Sequence, residues 1–193
     1  VLRLGRRVSR GWSVVQDEAM HRLYCYLYHT RDLGLWLVFS PGALAILGFS
    51  DADHANDVAS TKSTSGGRVV LRGANGTYIR LDFWAKQQTA TSRNTGEAEL
   101  ASLDEGVFAE ALPLQELAEQ ITGQSLRVCA ELDSTTGIAA VARGCSRRLA
   151  YLKKWRRVSL SALHEFFYGD NVERKCDDRF SRNRIAHRSG EKN

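Results

Sequence analysis

Residues 44–51 read LAILGFSD, a short apolar run that follows the turn signal Ser40-Pro41-Gly42 and is closed by an acid. A run this short, flanked by turn residues, predicts a buried strand ending in Asp51. Residues 126–132, LRVCAEL, repeat the pattern and are closed by Asp133. Two further runs lie between these, at 68–72 and 78–84, split by Gly73-Ala74-Asn75-Gly76. Asn-Gly between such runs is a strong local hairpin signal. The Ser63–Gly67 stretch STSGG before them predicts a loop. Leu100, Leu103, Val107, Ala111 and Leu114 recur at steps of three and four, which puts them on one face of a long helix. Glu97 and Glu99 near Thr95 suit its N-terminus, where carboxylates favour the helix dipole. Pro113 is expected to kink this helix or end it near Leu112. The order strand, hairpin, long helix, strand, helix predicts an α/β fold flanked by helices. Its mixed sheet would have the first three strands antiparallel and later ones parallel to the first.

Toward the N-terminus, Ala19, Leu23 and Leu27 have helical spacing over 17–28, and His29–Asp32 reads as a break. The apolar run 35–39 is expected to pair with 44–50 as a hairpin. Toward the C-terminus we expect helices over 134–142 and 159–167, a last strand at 172–176 and a weakly ordered basic tail. The chain has 193 residues, 43% of them hydrophobic, as in an ordinary globular protein. No apolar stretch approaches the roughly 18 residues of a membrane-spanning helix. The opening VLRLGRRVSRGW lacks the apolar core of a signal peptide, and with no initiating Met the chain reads as part of something longer. Cys25, Cys129, Cys145 and Cys176 have no metal-ligand spacing, which favours reduced thiols in an intracellular protein over two disulfides.

The formal net charge is +5, and about half of the 27 Lys and Arg residues follow Ala142. The runs Arg147-Arg148, Lys153-Lys154 and Arg156-Arg157, with Tyr151 and Trp155 among them, suit either a phosphate backbone or a solvated basic face. In a parallel arrangement Asp51 and Asp133 would stand side by side, with the crossover helix lowering Glu99 onto the same edge. Crowded carboxylates repel unless cations share them, and hard oxygen ligands suit Mg²⁺. Two such ions about 4 Å apart can clamp the attacking and leaving oxygens of a phosphodiester. The common alternative is that these acids simply cap elements. Helical-wheel arithmetic does not choose between Glu97 and Glu99.

Four blocks then carry a resemblance, in order from about Ala19 to Ala142: MHRLYCYLYHTRDLGL, LGFSDADHANDVASTKSTSGG, FWAKQQTATSRNTGEAELASL and LRVCAELDSTTGIAA. Together they resemble the ribonuclease H region of copia-type retrotransposon polyproteins and the stretch linking it to the reverse transcriptase. The resemblance implies a ribonuclease H-like domain over 44–193 and the end of the reverse transcriptase connection over 1–43. It implies cleavage of the RNA strand of an RNA–DNA hybrid with two Mg²⁺ ions, Mn²⁺ being a substitute. It also implies a reverse transcriptase domain of the same polyprotein as partner, no membrane, and an intracellular setting in a cytoplasmic virus-like particle or the nucleus. By position the catalytic and metal-binding acids are Asp51, Glu99 and Asp133, with Asp53 and Glu97 solvated or supporting.

The resemblance fails past Gly144. The Ala-Asp step that supplies the fourth carboxylate is Ala186-His187 here, so His187, Asp177 and Asp178 are the candidates for that position. A neutral imidazole lacks the negative charge that a hard Mg²⁺ site prefers. His54 stands where Trp is usual, and Arg80-Leu81-Asp82 interrupts the third strand. These departures keep two alternatives open: an inactive nucleic-acid-binding remnant, and a structural connection domain. His21, His164, Trp12, Trp36 and Trp84 read as packing or solvated residues, with Trp155 the one candidate for base stacking.

Overall fold

The structure, a computed structural model, describes residues 11–56, 60–169 and 184–187. The strand expected at 172–176 and the candidate acids Asp177 and Asp178 lie outside these residues. The chain forms two compact units, Val1–Trp36 and Leu37–Asn193. The first contains helix α1 (Val14–His29), where the sequence periodicity put it, and none of its residues is buried. Thr30 closes α1, its hydroxyl donating to the Tyr26 carbonyl at 2.7 Å.

Among the described residues, the second unit is built on a five-stranded sheet. Its strands are β1 (Leu44–Asp53), β2 (Thr64–Gly73), β3 (Tyr78–Gln87), β4 (Arg127–Leu132) and β5 (Arg184–His187). Their order across the sheet is β3-β2-β1-β4-β5. β1 to β3 are antiparallel, whereas β4 runs parallel to β1 and β5 parallel to β4. This is the mixed α/β architecture expected from the sequence. The crossover from β3 to β4 is helix α2 (Thr95–Glu105), a π-helical turn (Gly106–Ala111) and helix α3 (Leu112–Thr122). Helices α4 (Thr135–Arg143), α5 (Leu152–Trp155) and α6 (Leu160–Tyr168) follow β4.

The helices sit where their caps and apolar faces dictate. Asn94, Ser134 and Ser159 cap α2, α4 and α6, each side chain accepting from the backbone N–H three residues on. That bond satisfies one of the donors a helix start leaves free. Leu100, Leu103, Val107 and Ala111 are all buried, as their spacing predicted. The first two and Val107 join Leu132, Val141 and Leu163 in one core cluster. Ala111 joins Ile46, Val69 and Val128 in a second.

Several local expectations are corrected. Residues 35–39 do not pair with β1; Val38 instead bridges Tyr78 at the start of β3. Thr77 reinforces this bridge, its hydroxyl donating to the Ser40 carbonyl and accepting from the Ser40 N–H. The STSGG stretch is largely strand, because Thr64–Gly67 pair with Ser50–Asp53. Its glycines are used for packing: a Cβ on Gly67 would fall 2.2 Å from both the Trp84 ring and the Phe49 carbonyl. The interruption at residues 80–82 is a β-bulge. Val69 pairs with Asp82 and Val70 with Arg80, so Leu81 is the extra residue. Near Pro113 the helical character changes, from a π-helical turn ending at Ala111 to an α-helix starting at Leu112. The preceding turn has already relaxed to i→i−5 bonding, with Leu112 N–H donating to the Val107 carbonyl, and Pro113 falls in the first turn of α3. A missing N–H is tolerated there.

The Trp84 indole thus fills the space left by Gly67 on β2 and Gly106 on the π-helical turn. Gly67→Ala is expected to destabilise the second unit by about 1–3 kcal/mol, the usual cost of overpacking, read as a lower urea midpoint at unchanged slope.

A candidate carboxylate site at the sheet edge

Parallel pairing of β1 with β4 brings two strand ends to one edge. Phe49 is in register with Glu131, so Asp51 lies level with Asp133, the first residue past β4. The crossover helix is tied to this edge by Ser102, whose hydroxyl donates to the Asp51 carbonyl at 2.7 Å. Glu99 is one turn earlier on α2, and only 8% of it is exposed. Asp51 and Asp133 are exposed. Burial pushes the Glu99 carboxyl above the usual carboxylate range. A hydrogen bond from Ser134 opposes this, while the charges of Asp133 and Asp51 add to it. Glu99 therefore lies within electrostatic reach of both aspartates singled out in the sequence. Glu99 Oε2 is buried without a hydrogen-bond partner, an arrangement native interiors rarely leave uncompensated.

Glu97 is fully buried, not solvated. Its Oε1 accepts from Arg156 Nε at 2.8 Å. Its Oε2 accepts from the Tyr151 hydroxyl at 2.8 Å and the Arg93 N–H at 2.9 Å. The Arg156 side chain is only 4% exposed. Its remaining nitrogens donate to Gln88 Oε1, the Ala90 carbonyl and Ser92 Oγ. Arg156 is thus withdrawn from the basic surface that its run of neighbours suggested. Arg147, Arg148, Lys153, Lys154 and Arg157 are exposed, and so is Trp155. Sequence reasoning missed Arg156, Tyr151, Gln88 and Ser92 as one cluster. Gln88, Ser92 and Glu97 did fall within a single quoted block, which was the available signal.

Asp53 is exposed and accepts from Asn56 Nδ2 at 2.8 Å. His54 Nε2 lies 3.2 Å from the Ser92 carbonyl, and His164 Nδ1 lies 3.1 Å from the Val141 carbonyl. Both histidines serve packing. His21 lies on α1, 3.5 Å from the Cys25 thiol. No disulfide joins Cys25, Cys129 and Cys145 to one another. β5 brings the backbone of His187 into register with Leu132, the residue before Asp133. Position 187 therefore reaches the same edge as the two aspartates.

A groove of about 930 Å³ opens beside Glu99. Thr95 at the start of α2 and Thr135 and Thr136 at the start of α4 line it, together with Arg143 and Arg148. Two helix N-termini and two guanidinium groups thus face one space, a combination that attracts anions. Among the described residues, no group of three or more His, Cys, Asp or Glu side chains is placed so that it could hold a metal ion, and no helix is long and apolar enough to cross a membrane.

No protein-family profile matches the chain. A curated relative, Secreted RxLR effector protein 161 of Plasmopara viticola, is 33% identical over 88 residues, which is 46% of this chain and 58% of that protein. The match therefore spans less than two thirds of the relative. Among solved structures, RNase H1 from the archaeon Halobacterium salinarum NRC-1 gives a TM-score of 0.42 at 14% identity over 74% of this chain and 84% of that one. The PFV RNase H domain gives 0.39 at 15% identity, over 77% and 81%. The NurA nuclease of Sulfolobus solfataricus gives 0.34 at 11% identity, over 84% and 48%.

The two glutamates of the EAE triplet should respond oppositely to loss of charge. Glu97→Gln leaves the Arg156 guanidinium buried without its counter-charge and is expected to cost about 3–5 kcal/mol. Glu99→Gln removes a raised carboxyl. The folded wild type holds that proton more tightly than the unfolded chain, so its contribution is full below the ordinary carboxylate pKa and is lost as pH rises. In chelator, Glu99→Gln should therefore gain stability relative to wild type as the pH is raised above the ordinary carboxylate range, measured by denaturant unfolding at each pH.

Proposed function

We propose that the second unit is a metal-dependent endonuclease of ribonuclease H type, which hydrolyses the RNA strand of an RNA–DNA hybrid. The observation that carries this reading is Glu99. Its buried carboxylate has an unpartnered oxygen, stands within reach of the charges of Asp51 and Asp133, and lines a groove that attracts anions. Such a cluster costs stability in an isolated chain, and a shared cation relieves that cost. The donors are all hard oxygens, the set that Mg²⁺ takes. Mg²⁺ keeps several waters and commonly uses one or two carboxylates together with substrate phosphates.

Asp51, Glu99 and Asp133 would hold the metal, two Mg²⁺ ions or Mn²⁺ in their place. Bound there, the ions supply an activated water and stabilise the charge that develops on the leaving oxygen. The protein's own share is placement. The starts of α2 and α4, with Arg143 and Arg148, seat the phosphates of the hybrid beside the acids. Ser102 fixes the spacing between α2 and β1. Ser134 both caps α4 and hydrogen-bonds Glu99, so the groove wall and the acid share one support.

We assign the chain to a copia-type retrotransposon polyprotein on its four sequence blocks, with residues 1–43 as the end of the reverse transcriptase connection and the polymerase as partner. The backbone register of β5 with β4 supports His187 as a candidate for the fourth position that the resemblance implies, with Asp177 and Asp178 as the other candidates. This same feature favours a second reading, an inactive remnant that binds hybrids without cutting them.

Incubating the purified chain with a labelled hybrid, while titrating Mg²⁺ and Mn²⁺, separates the two. Cleavage of the RNA strand alone is expected, with more Mg²⁺ than a four-acid site needs or with a preference for Mn²⁺. Asp51→Asn should reduce it at least about 100-fold, since losing even an outer-shell partner of a metal ligand costs about 10–100-fold. Hybrid bound but uncut at every metal concentration would establish the remnant instead.

A further inference from the structure

Strand alternation gives the antiparallel half of the sheet two distinct faces. Ile46, Val69 and Leu71 join the core cluster that includes Ala111 and Ala118 of the crossover, and Trp84 packs against Gly106. Phe49, Asp51, Arg68, Gly66, Phe83 and Ala85 have the opposite parity and line a separate hollow of about 450 Å³. The register arranges them in rows. Phe49 pairs with Arg68 and Arg68 with Phe83; the next row on that face is Asp51, Gly66 and Ala85.

The first row is an aromatic–guanidinium–aromatic strip across three strands. Arg68 Cζ lies 4.3 Å from the centre of the Phe49 ring, and no ion pair to Arg68 occurs among the described residues. Phe83 is 83% exposed on the edge strand, so its ring is not held by the core. The second row carries almost no side-chain bulk apart from Asp51, which leaves a flat floor between that carboxylate and the sheet edge. Strand geometry separates the rows by about 7 Å, roughly two nucleotide steps of a stacked strand.

We infer that this strip is a platform for an unpaired nucleotide of the nucleic-acid strand that runs off the catalytic edge. The base stacks on Phe83 and its phosphate pairs with Arg68. The placement beside Asp51 rests on the nuclease reading above. Three features select this occupant. An exposed aromatic ring offers a π-face to any base. A guanidinium already stacked on an aromatic ring keeps its N–H edge free for phosphate. Asp53, which is not among the acids assigned to the metal, adds negative charge at the other end of the hollow and so favours Arg68 as the end that takes the phosphate. A base held in a duplex has its faces covered by its neighbours, so the platform serves a single-stranded nucleotide and not the paired hybrid.

The test is fluorescence anisotropy in chelator, where no cleavage occurs. A blunt RNA–DNA hybrid is compared with the same hybrid carrying a short single-stranded extension on each strand end in turn. One extension should tighten binding to the wild-type chain. Phe83→Ala should lose that increment, roughly 5- to 100-fold for one stacked base, and Phe83→Trp should keep it. Arg68→Met should weaken the increment and lower its salt dependence by about one phosphate contact. Affinity for the blunt hybrid and the melting temperature should stay unchanged in Phe83→Ala, because the ring is exposed. An extension that adds nothing to wild-type binding, or an increment untouched by Phe83→Ala, overturns the platform. So does sedimentation showing a dimer that Phe83→Ala dissolves, since a second copy would then cover the strip. An intact increment in a chain that never cleaves would sink the nuclease reading and leave the platform standing.

Discussion

The ion pair between Glu97 and Arg156 is the constraint on which the candidate site depends. Burying two charges is expensive, and mutual attraction offsets that cost only when the remaining hydrogen-bonding capacity is also satisfied. Here it is. Arg156 donates to Glu97, Gln88, Ala90 and Ser92, while Glu97 accepts from Arg156, Tyr151 and the Arg93 N–H. These bonds join the segment after β3, the first turn of α2 and the chain after α4. Glu99 is two residues beyond Glu97, so the fully paired acid holds the under-paired one in place.

Two glutamates separated by one alanine thus have opposite environments. Glu97 meets a cation and an almost complete set of donors. Glu99 meets burial, one serine and the charges of two aspartates. The first contributes to holding the fold together, and the second is tolerated only because the surrounding structure fixes it. Residues that work against stability in this way cluster at functional sites. The contrast also gives the basic C-terminal region two duties. Arg156 is spent inside the protein, while Arg143 and Arg148 face the groove.

Packing on the other side of the crossover works by subtraction. Gly67 and Gly106 leave room for Trp84 between β2 and the π-helical turn. That turn lets the chain continue into α3 with Pro113 in its first turn. The bulge at Leu81 absorbs an extra residue in β3. With the bulge taken up there, the rows nearer Asp51 keep their register, and both faces of the antiparallel strands stay in phase with the carboxylates.

Much of this was legible in the chain itself. The apolar run ending at Asp51, the Asn75-Gly76 hairpin, the helical spacing from Leu100 to Ala111 and the second run ending at Asp133 are local patterns, and local patterns dictate elements and their order. They also marked Asp51 and Asp133, because an acid at the end of an apolar run is visible without knowing its neighbours, whereas Glu99 was set apart from Glu97 only by the resemblance of its block. Tertiary structure alone decided which glutamate is consumed by Arg156, since a separation of 59 positions between Glu97 and Arg156 leaves no periodicity to read. It likewise decided that Thr64–Gly67 extend a strand: glycines signal a turn until a distant tryptophan fills the space they leave. The pairing of Val38 with Tyr78, in place of a local hairpin, has the same origin. Sequence fixes what each segment prefers, and long-range packing and charge pairing select among preferences that differ by only a few kcal/mol.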